Sequence, residues 1–190
     1  MKTAANPTKI KGGPLQARLE FVREQGGVLA LERVLSRLSE EDRKICRQPL
    51  AGMWYAFEVN ERLDEAIAAE MGIGEKIFEL IGERSALHNL AGVHRFFIVG
   101  GDPHALLSRS QQIYSTYYND AGKRTYEKVG ETKALLRTFD SDTVSKHDCL
   151  TNIGWHRKAI EMCGAKNVRV METKCRAEGA DVCEYLCQWD

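Results

Sequence analysis

Residues 171–185 read METKCRAEGADVCEY, and the spacing inside them, Glu172-x2-Cys175-x7-Cys183, decides how the C-terminal half folds. Residues 168–174 and 182–189 alternate enough to be two strands of a hairpin closing around Gly179. Cys175 and Cys183 then stand at the two ends of the hairpin loop, close enough to share one ion. Upstream, Cys149, Ile153, His156 and Ile160 fall near one stripe of a helix, which turns Cys149 toward the body of the domain. Three thiolates and one carboxylate make a closed four-donor zinc set, and a set with no open position makes the metal structural. Glu172 and Cys175 are an odd number of residues apart, on opposite faces of a regular strand, so both ligate only if the strand bulges or ends early. The spacing is not the common paired CxxC, and a second reading stays open: three half-buried cysteines and a surface glutamate. Cys187 shares a strand face with Cys183 and is a lower-ranked substitute, since it lies deeper in the strand. Cys46 and Cys163 stand alone and read as small buried apolar residues.

Outward from this stretch, a helix is expected from about 145 to 163, ended by Gly164. Before it, 123–129 and 133–139 read as strands joined by a turn at Gly130-Glu131. The rest is helical. Leu15, Leu19, Phe21 and Val22 share an apolar face that Gly26 and Gly27 end; a second helix follows with Val28, Leu31, Val34, Leu35 and Leu38. Ser39 before Glu40, Glu41 and Asp42 is an N-cap signature. Residues 49–54 read as a loop, followed by helices carrying Phe57 to Met71 and Ile77 to Leu87. Residues 94–99 are a helix end or a short strand. Asp102-Pro103 opens another helix, running to about Tyr118. The expected class is α+β: N-terminal helices packed with a four-stranded, mainly antiparallel sheet and one inserted helix. Residues 1–12 are expected to be a flexible tail and 13–190 a single domain.

The chain has 190 residues, with 27 Lys plus Arg against 27 Asp plus Glu, so net charge gives no reason to expect nucleic acid. The first residues lack the apolar core of a secretory signal, and no stretch is long and apolar enough to span a bilayer. A cytoplasmic location follows as an expectation, with reduced thiols and no disulfide framework. No Gly-x-Ser-x-Gly, phosphate loop or HExxH is present, and an enzyme is the weakest class. Glu58, Glu61, Asp64 and Glu65 read as a solvated helix face, and Tyr114, Tyr117 and Tyr118 as packing.

The segment from Cys149 to Cys187, with CLTNIGW and METKCRAEGADVC, resembles the C-terminal part of the 4-vinyl reductase domain, the sensory module of phenol-responsive activators. Cys149, Glu172, Cys175 and Cys183 match the zinc ligands of those sensors in spacing. From about Ile10, the segments KGGPLQARLEFV, WYAFEVNERLDEAIA and GVHRFFIVGGDPHALL resemble an uncharacterised family of bacterial proteins of similar length. The resemblance implies a fold shared with transport-particle (TRAPP) subunits and haem nitric-oxide sensors. It implies a homodimer enclosing a small apolar or aromatic molecule, or a lipid. The phenol sensors' pocket uses a His and a Trp. The candidates here are Trp54, Tyr55, His94, Phe97, His104, Tyr114 and Trp155. Haem is disfavoured, because no tyrosine starts a Tyr-x-Ser-x-Arg run. With no ATPase or DNA-binding segment attached, output is expected through a partner protein or dimer contacts, without direct nucleic-acid binding. The alternative is a scaffold or adaptor resembling TRAPP subunits, with no soluble ligand.

Overall fold

Strand β4 (Lys123–Gly130) turns back into β5 (Lys133–Phe139), and β5 pairs with the last strand, β7 (Cys183–Gln188), which pairs in turn with β6 (Arg169–Lys174). The result is a four-stranded sheet of order β4-β5-β7-β6, antiparallel throughout. The burial of β5 alternates along its length, leaving Ala134, Leu136 and Thr138 covered on one face. The computed structural model describes residues 7–72, 74, 76–92, 94–141 and 145–190. Among them, no helix is long and apolar enough to cross a membrane.

Helix α1 (Gly12–Ser36) leads the helical half, followed by α2 (Glu40–Arg47), α3 (Phe57–Met71), α4 (Lys76–Ala91), α5 (Pro103–Leu107) and α6 (Ser110–Tyr117). Helix α7 (Lys146–Met162) is inserted before β6. The architecture is α+β, as the alternation of periods predicts. The glycine pair does break the first helix, but only at Gly27, whose φ of 72° lies in the left-handed region. Ser39 caps α2 by accepting from the Asp42 N–H, and Asp102 caps α5 by accepting from the Ala105 N–H.

Three local readings change. Residues 9–11 belong to no tail: they form β1 (Lys9–Lys11), the centre of a small sheet with β2 (Trp54–Ala56) and β3 (Tyr118–Asn119). Ile10 is wholly buried there. Strands of two or three residues are too short to show a period; the loop read at 49–54 holds through residue 53, and only Trp54 joins β2. The helix expected over 103–118 is two helices, interrupted at Ser108 and Arg109. Residues 1–6 of the expected tail lie outside the described residues.

Helix α7 is buried for most of its length, with α4 on one flank and the sheet on another. The α4–α7 contact is the most extensive between any two elements of the described structure. Glycine makes it possible. A Cβ on Gly82 would overlap the Thr151 carbonyl, and one on Gly154 would overlap the Glu79 carbonyl. The two backbones touch, and this fixes where each side chain of α7 points.

Candidate metal centre and interior cavity

Ser145 caps α7 through the Asp148 N–H and starts the helix so that Cys149, one turn in, faces the β6–β7 loop. Its Sγ lies 3.6 Å from that of Cys183 and 3.9 Å from that of Cys175. Thiolates on a tetrahedral zinc with Zn–S of about 2.3 Å stand about 3.8 Å apart. Donor atoms of Cys149, Glu172, Cys175 and Cys183 all lie within 4.8 Å of one another. The odd offset between Glu172 and Cys175 is absorbed by a register shift between Glu172 and Lys174, opposite Tyr185 and Glu184. Cys187 pairs with Ala134 and Val170. It lies four residues, about 13 Å, further along the strand, and is not part of the donor group.

The electrostatics of this cluster ask for a cation. Glu172 Oε2 accepts from Lys146 Nζ at 3.1 Å, while its Oε1 is buried with no partner. Hydrogen bonding to Cys183 and burial push the Cys149 thiol up, and burial raises Cys175. The Cys149 thiol in turn holds Cys183 down to about 7. Burial opposes the charge of Lys146, but its bonds to Glu178 and Glu172 outweigh that and raise it. Four acids crowded around one ammonium cannot all ionise without more positive charge. A dication at the centre of the four donors supplies it and satisfies Glu172 Oε1, so these residues fit a closed zinc site.

Within the next two turns of α7, Thr151, Asn152, Trp155 and His156 border an interior cavity of about 40 Å³. Its other walls come from α4 (Ser85, Asn89), α5–α6 (Leu106 to Tyr117), α1 (Pro14, Arg18) and β4 (Arg124). Two buried guanidinium groups face it. Arg18 meets Asp64 through two bonds of 2.7 and 3.1 Å and stands 3.6 Å from Asp148. Asp148 also accepts from the Tyr118 hydroxyl at 2.9 Å. Arg124 reaches only neutral oxygens, Thr138 Oγ1 and Asn152 Oδ1, both at 3.1 Å, and lies 4.1 Å above the Tyr114 ring. His156 is held neutral, its pKa lowered to about 3 by burial and then by Arg124; its Nδ1 sits 2.6 Å from the Asn152 carbonyl.

Of the seven pocket candidates, Tyr114 and Trp155 border this cavity and the other five do not. Trp54 is on the small sheet beneath Lys11 Nζ, and the Tyr55 hydroxyl accepts from the Leu50 N–H. His94 packs edge-on against Tyr117, and Phe97 lies in a second apolar cluster with Leu90, Leu106 and Ile113. His104 is tied up between Tyr126 and the Glu131 carbonyl, beside Trp189. Asp64, read as part of a solvated face, is fully buried against Arg18. The polar wall residues Arg18, Arg124, Asn152 and His156 were missed. Arg18 does carry a signal, because it sits among Pro14, Leu15, Leu19 and Val22 on the core face of its helix.

A family model described as "Protein of unknown function (DUF2378)" matches residues 84–190, more than half of the chain. The chain belongs to that family. The DUF2378 segment contains the whole four-donor cluster and every residue lining the cavity except Pro14 and Arg18 of α1. No protein of curated function matches the chain in sequence. Among solved structures, the fold is similar to an H-NOX protein from K. algicida, described as Fe(II) unliganded (TM-score 0.72, 13% identity, 95% of this chain and 97% of that one). It is also similar to an H-NOX protein from S. oneidensis in the Fe(II)NO ligation state (TM-score 0.71, 14% identity, 95% and 99%). A third structure, from work on heme redox potential and porphyrin distortion, gives TM-score 0.68 at 12% identity over 94% and 99%.

These likenesses correct one expectation. Haem was set aside because Tyr-x-Ser-x-Arg is missing, yet the chain shares the fold of proteins described with Fe(II) and heme. At 12–14% identity a fold outlives its sequence motifs, so the missing motif excludes nothing. The open interior described above, about 40 Å³, is smaller than a porphyrin, and no step below is routed through haem.

Proposed function

We propose that this chain is a non-enzymatic small-molecule sensor domain, its C-terminal half clamped by zinc on Cys149, Glu172, Cys175 and Cys183. The observation that carries the reading is that one helix serves both places: α7 supplies Cys149 to the clamp and Asn152, Trp155 and His156 to the cavity wall. A ligand that changes the cavity acts on a helix whose N-terminal turn is anchored to the β6–β7 hairpin. Its differential affinity for two positions of the wall is then the signal, read by a partner protein or a second copy. The resemblance to the 4-vinyl reductase sensors and the H-NOX fold both support an enclosed ligand. Tyr114, Tyr117, Trp155, Leu106 and Ile113 offer the apolar and aromatic surface expected for an apolar or aromatic molecule. A cavity known to hold benzene measures about 150 Å³, so a phenol enters only if the wall yields.

Native mass spectrometry and thermal melting test the two halves of the reading. We expect one zinc per chain, and a saturable rise in melting temperature with a cavity ligand. A stable wild-type protein that carries no zinc and that no small molecule stabilises would sink it.

One observation favours the adaptor reading. Val28 and Leu29, at the break in α1, are 63% and 74% exposed, an apolar tip suited to a protein partner. In that case the tip, and not the cavity, changes protection when the output partner binds.

A further inference from the structure

The two arginines of the cavity are not equivalent. Arg18 is neutralised, bonded to both oxygens of Asp64 and close to Asp148. Arg124 is 6% exposed, and no carboxylate pairs with it among the described residues. It reaches Asp148 only through Asn152, whose Oδ1 accepts from Arg124 and whose Nδ2 donates to Asp148 Oδ2 at 3.1 Å. A buried charge held by neutral dipoles alone is costly, and a counter-charge in contact offsets the cost. Among the described residues, its guanidinium donates from Nε and Nη1, which leaves the donor capacity of Nη2 to a ligand in the cavity that Arg124 borders. Tyr117 borders the same cavity, and its hydroxyl is buried with no hydrogen-bond partner among the described residues. His156 adds no charge, since its ring is neutral.

A buried cation without a counter-ion and a buried hydroxyl without an acceptor border one small cavity. Both lack the same thing, an anionic oxygen. The size of the cavity limits what can supply it. About 40 Å³ takes on the order of three or four non-hydrogen atoms, the scale of formate, acetate or nitrate. We propose that the cavity is a site for a small planar oxyanion of the carboxylate type, held between the Arg124 guanidinium and the Tyr117 hydroxyl, with Tyr114 and Trp155 among the bordering side chains. This rests on reading the cavity as the ligand site and changes the ligand from apolar to anionic.

The test is thermal melting and calorimetry of the full chain with sodium formate, acetate and nitrate, against sodium chloride at equal ionic strength and against phenol. The expected result is a saturable stabilisation by the planar oxyanions beyond that of chloride. Tyr117→Phe should weaken oxyanion binding about tenfold, one charge-assisted hydrogen bond, and Arg124→Met should abolish it. Tyr117→Phe removes one oxygen only, so it remains informative if Arg124→Met fails to fold. A preference for acetate over nitrate assigns the site to an organic acid, and the reverse to an inorganic anion; both support the proposal. Equal effects of chloride and acetate, or acetate binding that both variants leave unchanged, overturn it. Stabilisation by phenol without any by oxyanions overturns the anion and leaves the sensor reading standing. Stabilisation by none of these probes removes both.

Discussion

The N-terminal turn of α7 and its middle face opposite electrostatic problems. At the N-terminal turn three thiols and Glu172 crowd around one ammonium, and the unsatisfied buried atom is an acceptor, Glu172 Oε1. Within the next two turns, Arg18 and Arg124 face the cavity, and the unsatisfied buried atom is a donor, the Tyr117 hydroxyl. The first region is completed by a cation and the second by an anion or an acceptor. In the proposed reading the first holds a permanent structural ion and the second a ligand that comes and goes. What separates them is donor number: four converging ligands leave no way out for a metal, whereas a guanidinium and a hydroxyl hold a ligand reversibly.

Three experiments press on that contrast. The largest effect is expected from Cys175→Ser, which should remove zinc and several kcal/mol of stability together, out of the roughly 10–16 kcal/mol a structural zinc supplies. Metal analysis beside denaturant unfolding checks it, and unchanged stability with zinc lost would make the clamp ornamental. Next is Asp64→Asn, which leaves the shape of the Arg18 pair and removes its charge. It should cost about 3 kcal/mol without altering zinc content. Loss of zinc in this variant would show that the N-terminal turn of α7 and its middle are not separable. The smallest effect is that of pH. His156 takes up a proton near 3 in the folded chain and near its ordinary 6.5 when unfolded. The unfolded state binds more protons between those values, so stability is fully present above 6.5 and declines as pH falls toward 3. Between pH 6.5 and 5.5 the loss should be about 1 kcal/mol, and His156→Gln should flatten that slope in urea titrations.

The same contrast explains what was legible in the sequence. The clamp draws three donors from twelve consecutive residues and the fourth from the helix before, so spacing alone gathers Cys149, Glu172, Cys175 and Cys183. The bulge the spacing requires is where Glu172 and Lys174 slip past their partners. The cavity is assembled from α1, α4, α5, α6, β4 and α7, and no local pattern links Arg18 to Arg124. Choosing pocket residues by type favoured exposed or already bonded rings such as Trp54 and His104. The α+β order was legible because long helices and eight-residue strands carry clear periods. The strands at Lys9–Lys11 and Tyr118–Asn119 were not, because their pairing exists only once distant segments meet. Haem was judged from one motif, and the fold shows a likeness to Fe(II) proteins that the motif does not.

The glycine contacts between α4 and α7 have a mechanical consequence. Where Gly82 lies on Thr151 and Gly154 on Glu79, backbone meets backbone with no side chain to act as a spring. Two helices joined in this way form a stiff plate, and the proposed zinc clamp would bolt that plate to the hairpin. The compliance of the cavity therefore belongs to the opposite wall, α5 and α6, which are short and broken at Ser108 and Arg109. That wall is where a bound molecule should leave its mark.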